Sequence, residues 1–482
     1  MILYIIMAMT ALSVIAFCKS QEMMNAWTML HALSALLLSF SFLAQPLPLY
    51  YFESQFLFID HLSVYEMLIA AFIFLIAAIY ARGYVGCMIA HKEMHVKTLK
   101  PFYLAFNALM ISIFMAFCAN NLALFWLFTE LTTLFSAILI VTPNAKENIA
   151  VALSYVFIAS TSMLFSFIGL ILLFGLTKHA FGAGTLNWNQ ILAESAQLPP
   201  SALALAAIFL FIGFATKSGI VPFHSWLPHA HAIAPSVIST ILSGVMLNVG
   251  MYGLLRVYAI MRPTAAQPIV SKLFITFGLL SIGLAALTML TKRNLKRLIA
   301  FSSIENMGLL LVGIGIGTPA AIFWTLFHVL SHSFAKALLF LLSGIIRLEY
   351  HSVQADDVDH LLTRQPLASF GLILGGLAII GTPMMPNFLS KMGILLQLGA
   401  ISLPLVLLAA LLFMLVAAAF ALFMMNMFSR QREQGQTQRA FTVPLTMRLA
   451  ILVLIFALLI CGVVIPTPLK ETLTQAVSNL NI

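Results

Sequence analysis

Long uninterrupted apolar runs constrain the fold of this chain more than any other feature of its sequence. A helix needs about 20 apolar residues to cross a membrane, and about fourteen stretches meet or approach that length. The runs do not alternate with polar residues, which excludes a β-barrel. Only 8% of the residues are charged, against about 25% in soluble domains. The sequence therefore predicts an all-α polytopic membrane protein. The predicted segments are 2–18, 26–46, 62–86, 101–119, 121–142, 149–175, 202–229, 235–260, 271–291, 297–317, 320–346, 367–399, 402–428 and 445–466.

The distribution of basic residues predicts the orientation of the chain. Sixteen of the 24 Lys and Arg residues fall in loops after odd-numbered segments, and four fall in loops on the opposite side. Because basic loops remain in the cytoplasm, both termini are predicted on the non-cytoplasmic side. The net charge of +9 thus reflects membrane topology, and no nucleic-acid partner is expected.

The four cysteines predict no redox centre in this chain. Cys18, Cys87, Cys118 and Cys461 are scattered, and no C-x-x-C spacing occurs among them. Neither a metal cluster nor a disulfide framework is expected from such a pattern. No cofactor or metal is predicted here, so any redox chemistry belongs to another chain.

A few ionisable residues lie within the apolar segments, where a charge is costly and usually functional. Glu130 and Glu305 are clearly embedded, and Glu66 lies near a helix end. Arg256 is interpreted mainly as a membrane-interface residue, and Glu130 as either functional or a structural contact between helices. The embedded basic residues are Lys217, Arg256, Lys336 and Lys391.

Lys217 and Lys391 occupy similar settings in the two halves of the chain. Lys217 is followed by SGIVPFHSWLPHAHAIAP, and Lys391 follows GTPMMPNFLS. Glycine and proline interrupt both runs, and paired broken helices are typical of an inverted-repeat transport core. His224 lies in the first break and adds a group whose proton affinity is near neutrality. The alternative for Lys217 is a lysine that extends to the membrane interface.

The second half also carries a candidate relay. His328, His332 and Lys336 are spaced i, i+4 and i+8, which places them on one helix face within about 80°. An inert polar seam is the alternative interpretation. Glu305 is either part of the same site or the neutralising partner of Lys296 or Arg297, one or two turns earlier.

Six motifs together resemble the antiporter-like membrane proteins of respiratory complex I, membrane-bound hydrogenases, formate hydrogenlyase and the multisubunit sodium/proton antiporters. Within this family, SSIEN and FTELTTLFSA are most similar to component F of hydrogenase-4. The motifs are WLFTELTTLFSA, KSGIVPFHSWLPHAHAIAPS, GVMLNVGMYGLLR, LKRLIAFSSIENMG, HVLSHSFAKALLFLLSG and GTPMMPNFLSK.

The resemblance implies two inverted five-helix repeats and a line of charged residues at the membrane midplane. Glu130 and Lys217 match the glutamate–lysine pair of the first repeat, and Lys391 matches the terminal position of the second. The connecting positions match Glu305, His328, His332 and Lys336. The implied division is residues 1–100 (three N-terminal helices), 101–262 (first repeat), 263–428 (second repeat) and 429–482 (last helix and tail).

Two positions depart from the family pattern. Asn248 stands where many members carry a lysine, and LPHAH replaces the usual LPDAH, with His229 in place of an aspartate. An amide cannot carry a proton charge, so the link between the two halves is expected to be weakened or rerouted through water and His224.

The resemblance implies a proton-translocating subunit of a redox-driven complex in the bacterial inner membrane. Its expected partners are other membrane subunits and a peripheral hydrogenase or quinone-reducing module. The expected transported ion is the proton, with Na+ as the alternative. Three alternatives stay open: a cation/proton antiporter subunit without redox coupling, a membrane subunit that energises inorganic-carbon uptake, and a non-conducting membrane scaffold.

Overall fold

The structure is a computed structural model that describes residues 2–51, 56–143, 146–430 and 440–480. Its described part consists almost entirely of helices, with one antiparallel strand pair that joins Leu49 to Ile59 and Tyr51 to Leu57. The predicted all-α polytopic membrane fold is confirmed. In chain order the elements are α1 (Ile2–Phe17), α2 (Gln21–Leu43), β1 (Leu49–Tyr51), β2 (Leu57–Ile59), α3 (His61–Ala90), α4 (Leu99–Cys118), α5 (Leu122–Val141), α6 (Lys146–Phe181), α7 (Trp188–Glu194), α8 (Pro200–Lys217), α9 (Trp226–Ile233), α10 (Ser236–Ile241), α11 (Leu247–Met261), α12 (Gln267–Met289), α13 (Leu295–Ile316), α14 (Pro319–Tyr350), α15 (Leu361–Arg364), α16 (Pro366–Ile380), α17 (Pro386–Gly399), α18 (Leu403–Phe428), α19 (Leu445–Val463) and α20 (Thr467–Asn479).

The number of membrane crossings differs from the predicted fourteen. Among the described residues, 12 helices are long and apolar enough to span a membrane. The remaining predicted segments correspond to α1, which has 16 residues, and to the shorter helices α16 and α17. Every predicted segment thus contains a helix, but the count of fourteen spans is not confirmed.

Two helices are broken where the sequence predicts it. The first break follows α8, which ends at Lys217, and contains Gly219 with φ +69°. The second follows α16 and contains Gly381 with φ +83°, before α17 begins at Pro386. Glycine adopts positive φ without steric cost, and proline cannot continue a helix interior. Both breaks leave helix-end carbonyl groups without their usual helical donors.

Three long helical stretches lie at the centre of the molecule. The apolar stretches of α13, of α14 and of residues Ser236–Met261 are completely buried. By contrast, only 33% of the stretch in α6 and 22% of that in α18 is buried. A π-helical turn at Leu242–Met246 joins α10 to α11 inside this core. Embedded charges on the central helices are therefore separated from lipid by a layer of apolar helices.

Arg256 is buried near the end of α11, where it is 1% exposed and paired with a carboxylate, and its location at the membrane interface stays a prediction. Its guanidinium donates to both carboxylate oxygens of Asp60, at 2.9 and 2.8 Å. The ring centroid of Trp188 lies 3.8 Å from the guanidinium carbon. Asp60 also accepts from the Ser63 backbone N–H at 2.9 Å and so caps α3. This cluster joins α3, α7 and α11.

Lys296 does not lie in a loop, where the sequence predicts it. It lies in the first turn of α13, is buried, and donates to the Ala234 carbonyl at 2.7 Å. Ala234 lies between α9 and α10. Lys296 therefore joins α13 to the end of the first broken helix.

Candidate functional site

A buried ion pair lies beside the second helix break. The ammonium of Lys391 is 3.0 Å from Oε1 of Glu305 and donates to the Ile379 carbonyl at 2.9 Å. Ile379 belongs to the last turn of α16, where the break removes the usual helical donor. The Phe413 ring centroid lies 4.7 Å from the ammonium. The break thus supplies part of the binding site for the Lys391 charge.

Glu305 binds this distant lysine and neither of the nearby basic residues. Lys296 contacts Ala234, and no ion pair among the described residues joins Arg297 to Glu305. The interpretation of Glu305 as the neutralising partner of Lys296 or Arg297 is therefore wrong.

A ring of hydrogen bonds, closed by the backbone between Ser390 and Lys391, connects three helices around this pair. Asn306 Nδ2 donates to Oε2 of Glu305 at 2.5 Å, and Asn306 Oδ1 lies 2.8 Å from Nε2 of His328. His328 Nδ1 lies 2.7 Å from the hydroxyl of Ser390, the residue before Lys391. The ring therefore runs through α13, α14 and α17 and returns to Glu305 through Lys391.

His328 can hold either one or two ring protons without leaving the ring. Asn306 Nδ2 also donates to the Ser302 carbonyl at 2.6 Å, so its oxygen faces His328 Nε2 and accepts a hydrogen bond from it. The Ser390 hydroxyl reaches both His328 Nδ1 and the Asn387 carbonyl, the latter at 3.1 Å. It can donate to neutral His328, or accept from charged His328 while donating to Asn387.

Lys336 is joined to the ring through α13. Its ammonium donates to the Ile299 carbonyl at 2.9 Å and to the Ser302 hydroxyl. Ser302 in turn accepts from Asn306 through its carbonyl. Lys336 and Lys391 are thus the two ends of one buried hydrogen-bonded network.

His332 lies next to this network but is not part of it. Its ring centroid is 6.4 Å from that of His328, on the same face of α14. Both ring nitrogens of His332 are buried and have no hydrogen-bond partner in the described part of the protein. Such a group costs free energy unless it gains a partner, and the role of His332 as a proton carrier stays a prediction.

The first half has a different arrangement around Lys217. The buried ammonium donates to the Thr133 hydroxyl at 2.8 Å, one turn beyond Glu130 on α5. Glu130 accepts a hydrogen bond from Ser160 on α6. Among the described residues, no ion pair joins Glu130 to Lys217, although the Lys217 ammonium contacts α5 one turn away from Glu130.

Neutral side chains separate the two halves. Asn248 donates to the Gly244 carbonyl at 3.2 Å and to the Ser333 hydroxyl at 3.1 Å. Ser243, in the π-helical turn, lies 2.8 Å from Ser303 on α13. These contacts link the first half to α13 and α14 through an amide and hydroxyl groups, none of which carries a charge.

The histidines of the first break do not join these networks. His224 is half-buried in a surface pocket with His229, and it shares no hydrogen bond with the other seven candidates among the described residues. His231 is buried, and its ring stacks on Phe340 with centroids 4.5 Å apart. The expected link through His224 therefore has no direct contact supporting it.

Several network members were not identified from the sequence. They are uncharged residues on otherwise apolar helices, and they bind the embedded charges: Thr133, Ser302, Asn306 and Ser390. Ser302 and Asn306 are spaced i and i+4 around Glu305, which is a signal that the sequence does contain. Glu66 is buried in α3, and its Oε2 has no partner among the described residues.

Comparison with known proteins identifies the family. Residues 119–421, more than half of the chain, match the family described as "NADH:quinone oxidoreductase/Mrp antiporter, TM". The chain belongs to this family and is an antiporter-like, multi-pass membrane protein. The resemblance found in the sequence motifs is confirmed.

The relatives include components of hydrogenase-4. The chain is 31% identical over 341 residues to the hydrogenase-4 component F homolog of Methylacidiphilum infernorum, an alignment that covers 70% of this chain and 71% of that protein. It is 27% identical over 356 residues to hydrogenase-4 component B of Escherichia coli, covering 71% of this chain and 51% of that protein. One chain of the membrane-bound sulfane sulfur reductase, an archaeal respiratory membrane complex, has the same fold. Its TM-score is 0.87 at 21% identity, over 99% of this chain and 97% of that one.

Proposed function

We propose that this chain translocates protons as one membrane subunit of a redox-driven complex. The observation that carries the proposal is the buried network from Lys336 through Ser302 and Asn306 to Glu305, His328 and Lys391. A continuous line of protonatable and hydrogen-bonding groups is expensive to keep inside a membrane. Proton relays are the function that such a line serves in pumps and transporters.

In the first half, Lys217 holds and releases a proton according to its distance from Glu130. A nearby carboxylate favours the ammonium form of a lysine, and withdrawal of the carboxylate favours release of the proton. The contact with Thr133 represents the separated arrangement, in which Lys217 reaches α5 one turn away from Glu130. A small shift of α8 along α5 would form the ion pair.

In the second half, protons pass from Lys336 to Lys391 by way of His328 and Glu305, and the Asn306 amide holds these two side chains in place without carrying a charge itself. His328 can be protonated or neutral because Ser390 can donate or accept. His332 extends the path toward the first half, where Asn248 replaces the family's lysine. The exit lies at Lys391 and opens toward the non-cytoplasmic face, and both termini lie on that side of the bacterial inner membrane.

The free energy for transport comes from a partner module. The four cysteines of the chain are scattered and unpaired, and two relatives are named as components of hydrogenase-4. A hydrogenase or quinone-reducing module bound to neighbouring membrane subunits would supply the electrostatic change that separates Glu130 from Lys217. Asn248 favours a second candidate, a non-conducting scaffold, because the amide interrupts the charged line.

A substitution at the exit tests the proposal. The tagged complex is energised in inverted membrane vesicles with hydrogen, formate or NADH, whichever donor its co-purifying subunits oxidise. Lys391→Met should abolish acidification of the vesicle lumen per donor oxidised, while insertion and assembly persist. Lys272→Met, at an exposed lysine on α12, is the matched control and should behave as the unmodified complex. Acidification by Lys391→Met at the control rate would favour the scaffold.

A further inference from the structure

A basic pocket lies beside the first helix break, outside the buried networks. It has a volume of about 300 Å³ and is lined by residues that include His224, His229, Lys292, Arg297 and Phe301. The pocket lies where α12 passes into α13 and where the first break turns back toward α9. Its walls therefore come from two separate parts of the chain.

Within the described part of the protein, the cations of this pocket are not paired with carboxylates. No ion pair within the described residues involves Lys292 or Arg297, whereas Arg293 between them is 3.1 Å from Asp356. The Lys292 ammonium lies 5.0 Å from the Phe301 ring centroid, at the pocket wall. His224 Nδ1 is buried without a partner among the described residues. The pocket is thus positively charged and suited to an anion with several oxygen atoms.

An apolar groove lies on the outer surface between α12 and α18, and its lining includes residues close in sequence to the pocket. It has a volume of about 760 Å³ and is lined mainly by leucines of α12 and α18, together with Val221 and Thr288. Val221 lies three residues before His224, and Thr288 lies four residues before Lys292. Each wall of the groove therefore lies within four residues, along the chain, of a wall of the basic pocket. Leu280 and Leu287 on the groove are 51% and 60% exposed.

We propose that the pocket and groove form a binding site for one anionic glycerophospholipid. The phosphate lies between Lys292 and Arg297, and an acyl chain fills the groove between α12 and α18. The charge of the pocket selects an anionic headgroup, and the apolar groove selects a lipid over free phosphate. A helix of a neighbouring subunit would fill the groove but would leave both cations unpaired.

The charge requirement is tested with the tagged complex in nanodiscs of palmitoyl-oleoyl phosphatidylglycerol or phosphatidylcholine. After transfer to detergent, native mass spectrometry counts the retained lipid. Phosphatidylglycerol should be retained at least about tenfold more than phosphatidylcholine, since each basic residue near an anionic lipid adds to the attraction. Lys292→Gln with Arg297→Gln should remove this preference. The control, Lys92→Gln with Lys97→Gln, removes two exposed cations from the same predicted side and should keep it.

The groove requirement is tested with Gly283→Phe. Gly283 lines the groove, and a Cβ there would meet the Leu412 side chain at 3.7 Å, an ordinary contact, so a phenyl ring at this position would occupy the groove. This variant should lose phosphatidylglycerol although its basic pocket is intact, and added inorganic phosphate should not displace the lipid from the unmodified protein. Equal retention of both lipids overturns the proposal. So does displacement by phosphate, or cross-linking of the Leu280→Cys variant to another protein of the complex with no lipid retained.

Discussion

At the scale of single residues, the Asp60–Arg256 pair shows what a buried charge requires in this molecule. Both side chains are almost completely inaccessible, and the pair is held by hydrogen bonds from α3 and α11 and by the Trp188 ring of α7. A buried pair contributes little compared with apolar packing, but removal of one partner leaves an uncompensated charge. The pair therefore makes α3, α7 and α11 depend on one another.

The first prediction concerns this pair. Arg256→Met leaves the Asp60 carboxylate buried without its cation, and we expect it to lower the free energy of unfolding by about 3–5 kcal/mol. Thermal unfolding of the purified chain in detergent measures the effect. Lys272→Met removes an exposed cation and should leave the midpoint unchanged. Adding Asp60→Asn to Arg256→Met should recover part of the loss, and an unchanged midpoint in the single variant would contradict the assignment.

The embedded charges could be predicted from the sequence, but most of their partners could not. Lys217, Lys336, Lys391 and Glu305 are recognisable because each interrupts an apolar run. The sequence associates Glu305 with either a functional site or the nearby basic loop. In the structure, Glu305 binds a lysine 86 positions away. The choice of partner depends on how the helices pack, and spacing along one helix contains no information about it.

At the scale of elements, the two helix breaks position the lysines. The break after α16 frees the Ile379 carbonyl to accept from Lys391. After α8, the Thr216 carbonyl accepts instead from the Trp226 indole at 3.0 Å, and Lys217 turns to α5. Two breaks of similar sequence thus hold their lysines in different ways.

The second prediction compares two glycines with positive φ. Gly381→Ala and Gly182→Ala should each lower the free energy of unfolding by roughly 1 kcal/mol, because an L-residue is strained in that conformation. A Cβ at Gly381 would also lie 3.1 Å from the Lys391 side chain, whereas none of the described protein comes within 4 Å of one at Gly182.

Proton transport separates these two effects. We expect Gly381→Ala to slow vesicle acidification by displacing Lys391, and Gly182→Ala to leave it unchanged at equal complex content. Equal transport by the two variants would show that the break does not position the lysine.

The breaks themselves were predictable from glycine and proline, but the π-helical turn at Leu242–Met246 was not. Its sequence, LSGVM, contains no proline and continues a helical apolar pattern. The turn is stabilised by packing among completely buried helices, where Gly244 lies close to the α14 backbone. Such a local change of helix type depends on tertiary contacts and leaves no clear pattern in the sequence.

At the scale of the whole molecule, orientation is the property that the basic loops predict. The loop between α12 and α13 carries Lys292 and Arg293, and the loop between α11 and α12 lies at the other end of α12. Two variants, each with one added cysteine, therefore distinguish the two sides of the membrane.

The third prediction uses these variants with a membrane-impermeant maleimide. Ala265→Cys should react in intact cells, whereas Thr291→Cys should react only after lysis, because basic loops remain in the cytoplasm. Both positions are exposed, and the unmodified chain measures the background from its own cysteines. The opposite labelling pattern would reverse the predicted orientation.

The division into two inverted repeats stays a prediction, and the resemblance implies that position 248 connects them. Asn248 contacts Ser333, which is adjacent in sequence to His332, so the contact at this position is neutral. The family resemblance predicted this departure directly from the sequence. The consequence for transport depends on groups that move during turnover.

The most direct measurement of proton translocation is the ratio of protons moved to donor oxidised in vesicles that contain the Lys217→Ala complex. Lys217 is the buried lysine whose ammonium contacts α5 one turn after Glu130. We predict that the variant inserts and assembles but moves no protons, while Lys272→Ala keeps the ratio of the unmodified complex. An unchanged ratio in Lys217→Ala would contradict the account.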